Sequence, residues 1–367
     1  MRVALSPGGL RRLINLHRTP FSSALYNRDI MLQGKVINAV IFVLLCIVSL
    51  VTNEQLIAIH ERHIDLLANV AHGVIERQPA WIAYQNRLLG PAAVLLISKV
   101  GITFTHALKI FYVVMIIVEN FLLYYLLKKS GSSRVTSLAW VIAYSLLFVL
   151  FQDVNWYYTW DSFDAIIFTL FAYLVLWNKS FPLLVCLFFV ALLNRESALF
   201  IALFFVIDSI DFIATEISAK KIIIRLESTR KFVIGCMLFF LGAAYTKIIR
   251  SYLFISLPGG LNDAGHQTLG NHIYWGKNMY DLFFGNLGSG AIPNSFFVIG
   301  SLLFVGYIYK ICNTSQKKAI VIYGVIVFNI LIFGVMNETR MLIILFPILI
   351  FLIASIASSP KLFSRNN

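Results

Sequence analysis

The chain has 367 residues, of which 59% are apolar, 14% aromatic and only 13% charged, where a soluble domain carries about 25% charged residues. Its formal net charge is +13, yet the Lys and Arg fall mainly in short stretches between apolar runs, and no soluble stretch carries a basic stripe interleaved with aromatics. That distribution excludes a nucleic-acid binder and describes an all-α polytopic membrane protein whose loop charges set its topology.

Residues 1–35 are basic without being apolar, and no small-x-small cleavage site follows the next segment. They are expected to form a cytoplasmic tail, not a signal peptide. A spanning helix needs about 20 mostly apolar residues, and this rule places about ten transmembrane helices in a single domain over 36–358. They lie near 36–53, 106–127, 134–151, 163–178, 181–194, 197–212, 232–254, 294–311, 318–336 and 341–358.

The loop 54–105 after the first span is the most structured polar stretch. Ile64, Leu66-Leu67, Val70-Ala71 and Val74-Ile75 recur at helical spacing, which predicts an amphipathic interfacial helix over 64–76. Residues 88–100 are apolar but short, and Gly90-Pro91 interrupts their start, so they are expected to be interfacial or re-entrant. Counting them as non-spanning gathers 20 of the 30 Lys and Arg on one side. These come from the N-terminal tail, Lys128/Lys129/Arg134, Lys179, the 213–231 loop, Lys310/Lys317/Lys318 and the tail 359–367. The positive-inside rule makes that side, with both termini, cytoplasmic. The 213–231 stretch is expected to be an amphipathic connector, its lysines facing anionic headgroups.

The opposite side receives loop 54–105, the aromatic turn 152–161, the turn Asn194-Arg195-Glu196-Ser197, the glycine-rich loop 255–293 and the turn Asn337-Glu338-Thr339-Arg340. The 181–194 run covers only about 21 Å at 1.5 Å per residue, less than the roughly 30 Å hydrocarbon core. Either a water-filled cavity cuts into the membrane there or the helix begins earlier, near Trp177. Cys46, Cys186 and Cys236 lie inside apolar runs and Cys312 just beyond one, with no spacing that suggests zinc or a disulfide framework.

Ionisable residues at membrane depth are costly and are candidates for function. Asp65, at the start of the interfacial helix, is a candidate general base toward a hydroxyl; an acid there also simply suits the helix dipole. Arg87, Arg195 and Arg340 border apolar runs, and arginine binds phosphate bidentately. The alternative is internal ion pairing, Arg195 with Glu196 and Arg340 with Glu338. Glu196 and Glu338 are candidates to orient the arginines or to bind a hydroxyl. Asp161 and Asp164 open a span after Trp156, Tyr157, Tyr158 and Trp160, which are read as interface anchors or as stacking surfaces for sugar rings. His266 and His272, six apart, make no zinc site, and the 255–293 loop is a candidate lid or acceptor contact. Glu119-Asn120, mid-span, is expected to be an interhelical hydrogen-bonding pair.

In order along the chain, an acid followed by Tyr84 and Arg87-Leu88-Leu89-Gly90-Pro91, then Asp161-Ser162-Phe163-Asp164, Asn194-Arg195-Glu196-Ser197 and Glu338-Thr339-Arg340 to Pro347 resemble the pattern of bacterial integral-membrane glycosyltransferases of the GT-C type. The resemblance covers most of the chain from about 60 to 350 and implies a GT-C-like fold in the bacterial inner membrane. It implies a polyprenyl-phosphate-linked sugar as donor, a cell-surface glycan or lipid as acceptor, and chemistry on the extracytoplasmic face. The base would be Asp65, the donor phosphate would lie on Arg87, Arg195 and Arg340, and Tyr84, Asp161, Asp164, Asn194, Glu196 and Glu338 would support them or meet the acceptor. No cofactor is implied. The paired acids of many such enzymes are missing at Asp65, whose neighbours are Ile64 and Leu66, so Glu54 and Glu61 are spare candidates and use of a divalent metal stays open. A polysaccharide polymerase and a lipid-linked glycan flippase are the competing readings.

Overall fold

The apolar runs fold as helices, with polar side chains fixing several of their starts. A computed structural model describes residues 20–78, 84–152, 157–178, 180–214, 222–253, 273–284, 291–334 and 339–358. The helices are α1 (Pro20–His60), α2 (Ile64–Ile75), α3 (Leu89–Ser98), α4 (Phe104–Lys129), α5 (Arg134–Leu150), α6 (Thr159–Tyr173), α7 (Phe181–Asn194) and α8 (Ala198–Asp208). Strands β1 (Ile210–Ala214) and β2 (Ile222–Leu226) follow, then α9 (Thr229–Ile248), α10 (Trp275–Phe284), α11 (Ala291–Ile308), α12 (Thr314–Phe333) and α13 (Leu345–Ala357). Thr103, Ser133 and Ser228 cap α4, α5 and α9 by accepting a backbone N–H. Asn313 and Gln316 form a reciprocal capping box on α12. Gly131, at φ +92°, ends α4 in the left-handed conformation that a side chain would oppose.

The chain divides into two units, Met1–Ile47 and Val48–Asn367. The described part of the first is helical and exposes Val36, Ile37, Val40, Phe42 and Val43. In the second, α6 is the axis. It packs against α3, α4, α7 and α13, and of its 15 residues only Phe163, Ile166 and Leu170 are not buried. A helix buried on every face is a core helix. By contrast α9 exposes Met237, Phe240 and Leu241 on one side and lies closely on α8 with the other. A Cβ at Gly235 would stand 2.9 Å from Val206, and one at Gly242 2.7 Å from Leu199. Small residues that let backbones approach are the usual basis of helix packing in lipid.

Among the described residues, six helices are long and apolar enough to cross a membrane: Lys35–Ile75, Phe104–Lys129, Thr159–Asn178, Thr229–Tyr252, Thr314–Phe333 and Arg340–Ala357. With large apolar side chains on its outside, the molecule is a predominantly helical, multi-pass membrane protein. The stretches expected as spans near 134–151, 181–194, 197–212 and 294–311 coincide with shorter apolar helices. The helix expected over 64–76 is α2, and the short apolar stretch 88–100 is the ten-residue α3.

Two expectations are corrected. The helix expected over 197–212 stops at Asp208, and part of the 213–231 connector is a strand. β1 and β2 pair antiparallel, Ile210 opposite Leu226 and Ala214 opposite Ile222. The β-branched run Ile222-Ile223-Ile224 favours an extended chain, and the ribbon's base is closed where Glu227 and Ser228 donate N–H bonds to the Ser209 carbonyl. The all-α description therefore holds for everything described except this hairpin.

Candidate functional site

At the N-terminal end of α6 the chain gathers charge from five separate segments. Asp161 sits in the first turn, where its Oδ2 accepts the Tyr158 N–H at 2.9 Å. Arg195 reaches Asp161 Oδ1 at 3.2 Å and Asp164 Oδ2 at 3.4 Å, and Arg340 reaches Asp161 Oδ2 at 3.3 Å. Asp164 is held further by Asn194 and Ser197, which both donate to its Oδ1 at 2.9 Å. Asn194 also donates to the Trp160 carbonyl. The loop before α3 is tied to the end of α7 by the Leu88 N–H to the Leu193 carbonyl, 3.0 Å. At Gly90 a Cβ would come within 2.6 Å of Thr159, so α3 lies directly on the start of α6.

The described aromatics of this turn are not interface anchors. Tyr157, Tyr158 and Trp160 are buried, and Tyr158 stacks on Trp160 with centroids 4.5 Å apart. Tyr84 donates its hydroxyl to that of Tyr158. The guanidinium of Arg340 lies 4.4 Å from the Tyr158 ring centroid, and that of Arg87 lies 4.8 Å from Trp160 and 5.0 Å from Tyr84. Burial and the Tyr84 ring push the Tyr158 phenol upward, so it stays neutral.

Arg87 is the odd member. It is 6% exposed, no carboxylate lies within 4 Å of it among the described residues, and its buried Nε lacks a hydrogen-bond partner. Its contacts are the faces of Tyr84 and Trp160, a cation–π arrangement worth about 2 kcal/mol or more when desolvated. Burial first, and repulsion from Arg195 second, press its pKa down to about 9, so it remains charged at neutral pH. Among the described residues the cluster thus holds three guanidinium groups against two carboxylates. Buried polar atoms without a partner also concentrate here: Gln85 Oε1, Asn86 Nδ2, Thr159 Oγ1, Trp160 Nε1 and Asn194 Oδ1. Unsatisfied groups of this kind mark places where a polar ligand or water completes the bonding.

At 1.5 Å per residue α7 covers about 21 Å and α8 about 16 Å, each shorter than a roughly 30 Å hydrocarbon core. The break between them carries Arg195, Glu196 and Ser197.

The Arg195–Glu196 pairing expected from sequence neighbours is replaced by long-range ones. Arg195 pairs with Asp161 and Asp164, while Glu196 pairs with Arg250, which also donates to Asn86 at 3.1 Å. Arg340 pairs with Asp161, and Glu338 lies outside the described residues. So do Trp156, His266, His272 and residues 254–272 of the long loop. The described end of that loop is pinned: Asn278 donates to the carbonyls of Leu331 (2.9 Å) and Gly334 (2.6 Å). Asp65 is not part of the ion-pair network. It is exposed and accepts the Thr105 hydroxyl at 2.9 Å. Glu54 and Glu61 are exposed as well.

Four contributors escaped the sequence: Asn86, Arg250, the Trp160 shelf and buried His60, which lies within electrostatic range of Arg340 and Asp161. Arg250 had a usable signal, a lone arginine ending an apolar run just as Arg87 begins one. No family model, curated protein or solved structure matches the chain.

Proposed function

We propose that the chain is a membrane glycosyltransferase with about ten spans and a GT-C-like arrangement. It moves a sugar from a polyprenyl-phosphate donor to a cell-surface glycan or lipid on the extracytoplasmic face of the bacterial inner membrane. The observation that carries this reading is Arg87, a buried guanidinium with no carboxylate within 4 Å among the described residues, held on aromatic faces beside Arg195 and Arg340. A sugar–phosphate–lipid diester carries one negative charge, which matches one surplus arginine. A diphosphate-linked substrate, as a repeat-unit polymerase would use, carries two.

In this mechanism an acceptor hydroxyl gives its proton to Asp65 while its oxygen attacks the anomeric carbon. The bond from that carbon to the phosphate oxygen breaks, and the electron pair leaves with the phosphate. The second negative charge that develops there falls on Arg87, a preorganised donor of the kind that stabilises a transition state more than the ground state. Asp161 and Asp164 are unsuited to the base role, because both are bound by guanidinium and amide donors. Asp65 is accessible, and Thr105 orients it.

The test is mass spectrometry of the cell-surface glycan in cells with the protein, without it, and with Asp65→Asn. The expected result is one sugar decoration that disappears in the deletion and in the variant while the variant still accumulates in the membrane. An unchanged glycan in the deletion ends the transferase reading, and loss of the whole polymer ladder replaces it with polymerisation.

A further inference from the structure

Arg195 and Glu196 are neighbours in sequence, yet they serve different parts of the cluster. The turn after α7 leaves Arg195 in extended backbone, φ −168° and ψ 163°, and in an extended chain consecutive side chains point to opposite sides. Arg195 therefore reaches the acids of α6 while Glu196 meets Arg250. Arg250 arrives from the end of α9, where the helix widens into a π turn over Ile249–Leu253, a local distortion often found at functional sites. The absence of a side chain at Gly242 lets α9 close on Leu199, three residues beyond Glu196.

This pair stands at the open edge of the cluster. Asp161 and Asp164 are buried and bound by guanidinium, whereas the side chains of Glu196 and Arg250 are 29% and 30% exposed. Arg250 is also joined to the Arg87 loop, since it donates to Asn86 Oδ1 and lies within electrostatic range of Arg87. Its buried Nε has no hydrogen-bond partner, and neither has Asn86 Nδ2. An anion held on Arg87 thus has beside it a second guanidinium, compensated by a carboxylate and with donors still open.

We infer that Glu196 is the residue that limits the charge of the anion this site accepts, so that a lipid monophosphate is taken and a lipid diphosphate is refused. The inference rests on the reading of Arg87 as a phosphate-binding residue. With Glu196 on Arg250, Arg87 is the guanidinium of the cluster with no carboxylate within 4 Å among the described residues. That single charge suits a sugar–phosphate–lipid diester. A lipid diphosphate would bring its outer phosphate to Arg250 and so against the Glu196 carboxylate, where like charges repel and the guanidinium is already engaged. Such a fixed repulsive element discriminates between ligands without adding any attraction to the right one. Removing the carboxylate frees a guanidinium, the side chain suited to binding a second phosphate.

The experiment titrates the detergent-solubilised full chain with geranyl phosphate and with geranyl diphosphate at fixed ionic strength, reading each affinity from the rise in melting temperature. Wild-type protein should favour the monophosphate. Glu196→Gln should shift the ratio of the two affinities about tenfold toward the diphosphate. Should that variant fail to fold, Arg250→Gln should shift the ratio the other way, since it leaves Glu196 uncompensated. A wild-type preference for the diphosphate, or a ratio that these substitutions leave unchanged, overturns the charge-limiting role while Arg87 keeps its phosphate. Binding of neither compound to wild-type protein overturns the inference together with the reading beneath it.

Discussion

Asp161→Asn separates a structural ion-pair network from an anion site. Asp161 is 2% exposed and touches two guanidinium groups, at 3.2 and 3.3 Å. Each contact is worth about 4–5 kcal/mol of gross attraction at an effective dielectric of 20, much of it offset by desolvation. Removing one partner of such a buried pair costs about 3–5 kcal/mol, because the remaining charge is stranded. Asn keeps a carbonyl to accept the Tyr158 N–H, so the start of α6 should survive. The substitution raises the cluster's described charge from one surplus guanidinium to two. The variant should therefore melt well below wild type in phosphate-free buffer, and inorganic phosphate should restore more of its stability than it adds to wild type. Melting curves of both proteins across a phosphate titration, with chloride at matched ionic strength as control, read this directly. Equal phosphate responses, or none in either protein, would falsify the view that the arginines face a common anion site.

Gly90→Ala should act through position alone. The new Cβ would lie 2.6 Å from Thr159 Oγ1 and 2.8 Å from its carbonyl carbon, so α3 and the Arg87 loop must move off α6. Overpacking of this kind costs about 1–3 kcal/mol, and donor binding should fall with no charge changed; a variant with wild-type melting and binding shows that the close approach is dispensable. The pH dependence of phosphate binding should report Arg87, whose pKa is lowered to about 9. Binding needs the protonated form, so affinity holds below that value and declines by up to tenfold per unit above it. Arg87→Gln should remove the decline, and an unchanged slope in that variant assigns it to another group.

The membrane character and most helix positions were legible because both rest on long apolar runs, and a run of 20 such residues has few other fates. The helix α2 showed in the spacing from Ile64 to Ile75. The ribbon was hidden because Ile222-Ile223-Ile224 is short and flanked by Lys221 and Arg225, a pattern shared by amphipathic connectors. The residue types of the site were visible one at a time, since Arg87, Arg195 and Arg340 stand out beside apolar segments. Their partners were not. Adjacent pairing joined Arg195 to Glu196, yet the turn after Asn194 directs the two side chains apart, one to α6 and the other to Arg250. Aromatics near a membrane edge carry the same sequence signature whether they face headgroups or shelve a cation, so the role of Trp160 required the fold.

A network built only to hold helices together would be expected to close its charges. Asp164 meets that standard, with an amide, a hydroxyl and a guanidinium on its two oxygens. Arg87 does not. Its chain position is enforced twice, by the Leu88 bond to the end of α7 and by the contact of Gly90 with Thr159, and the guanidinium rests on ring faces while its buried Nε has no hydrogen-bond partner. Holding an unmatched cation out of water opposes folding, as the lowered pKa shows. Backbone anchoring that keeps it there, beside the break between α7 and α8, is the arrangement expected where an anion supplies the missing charge.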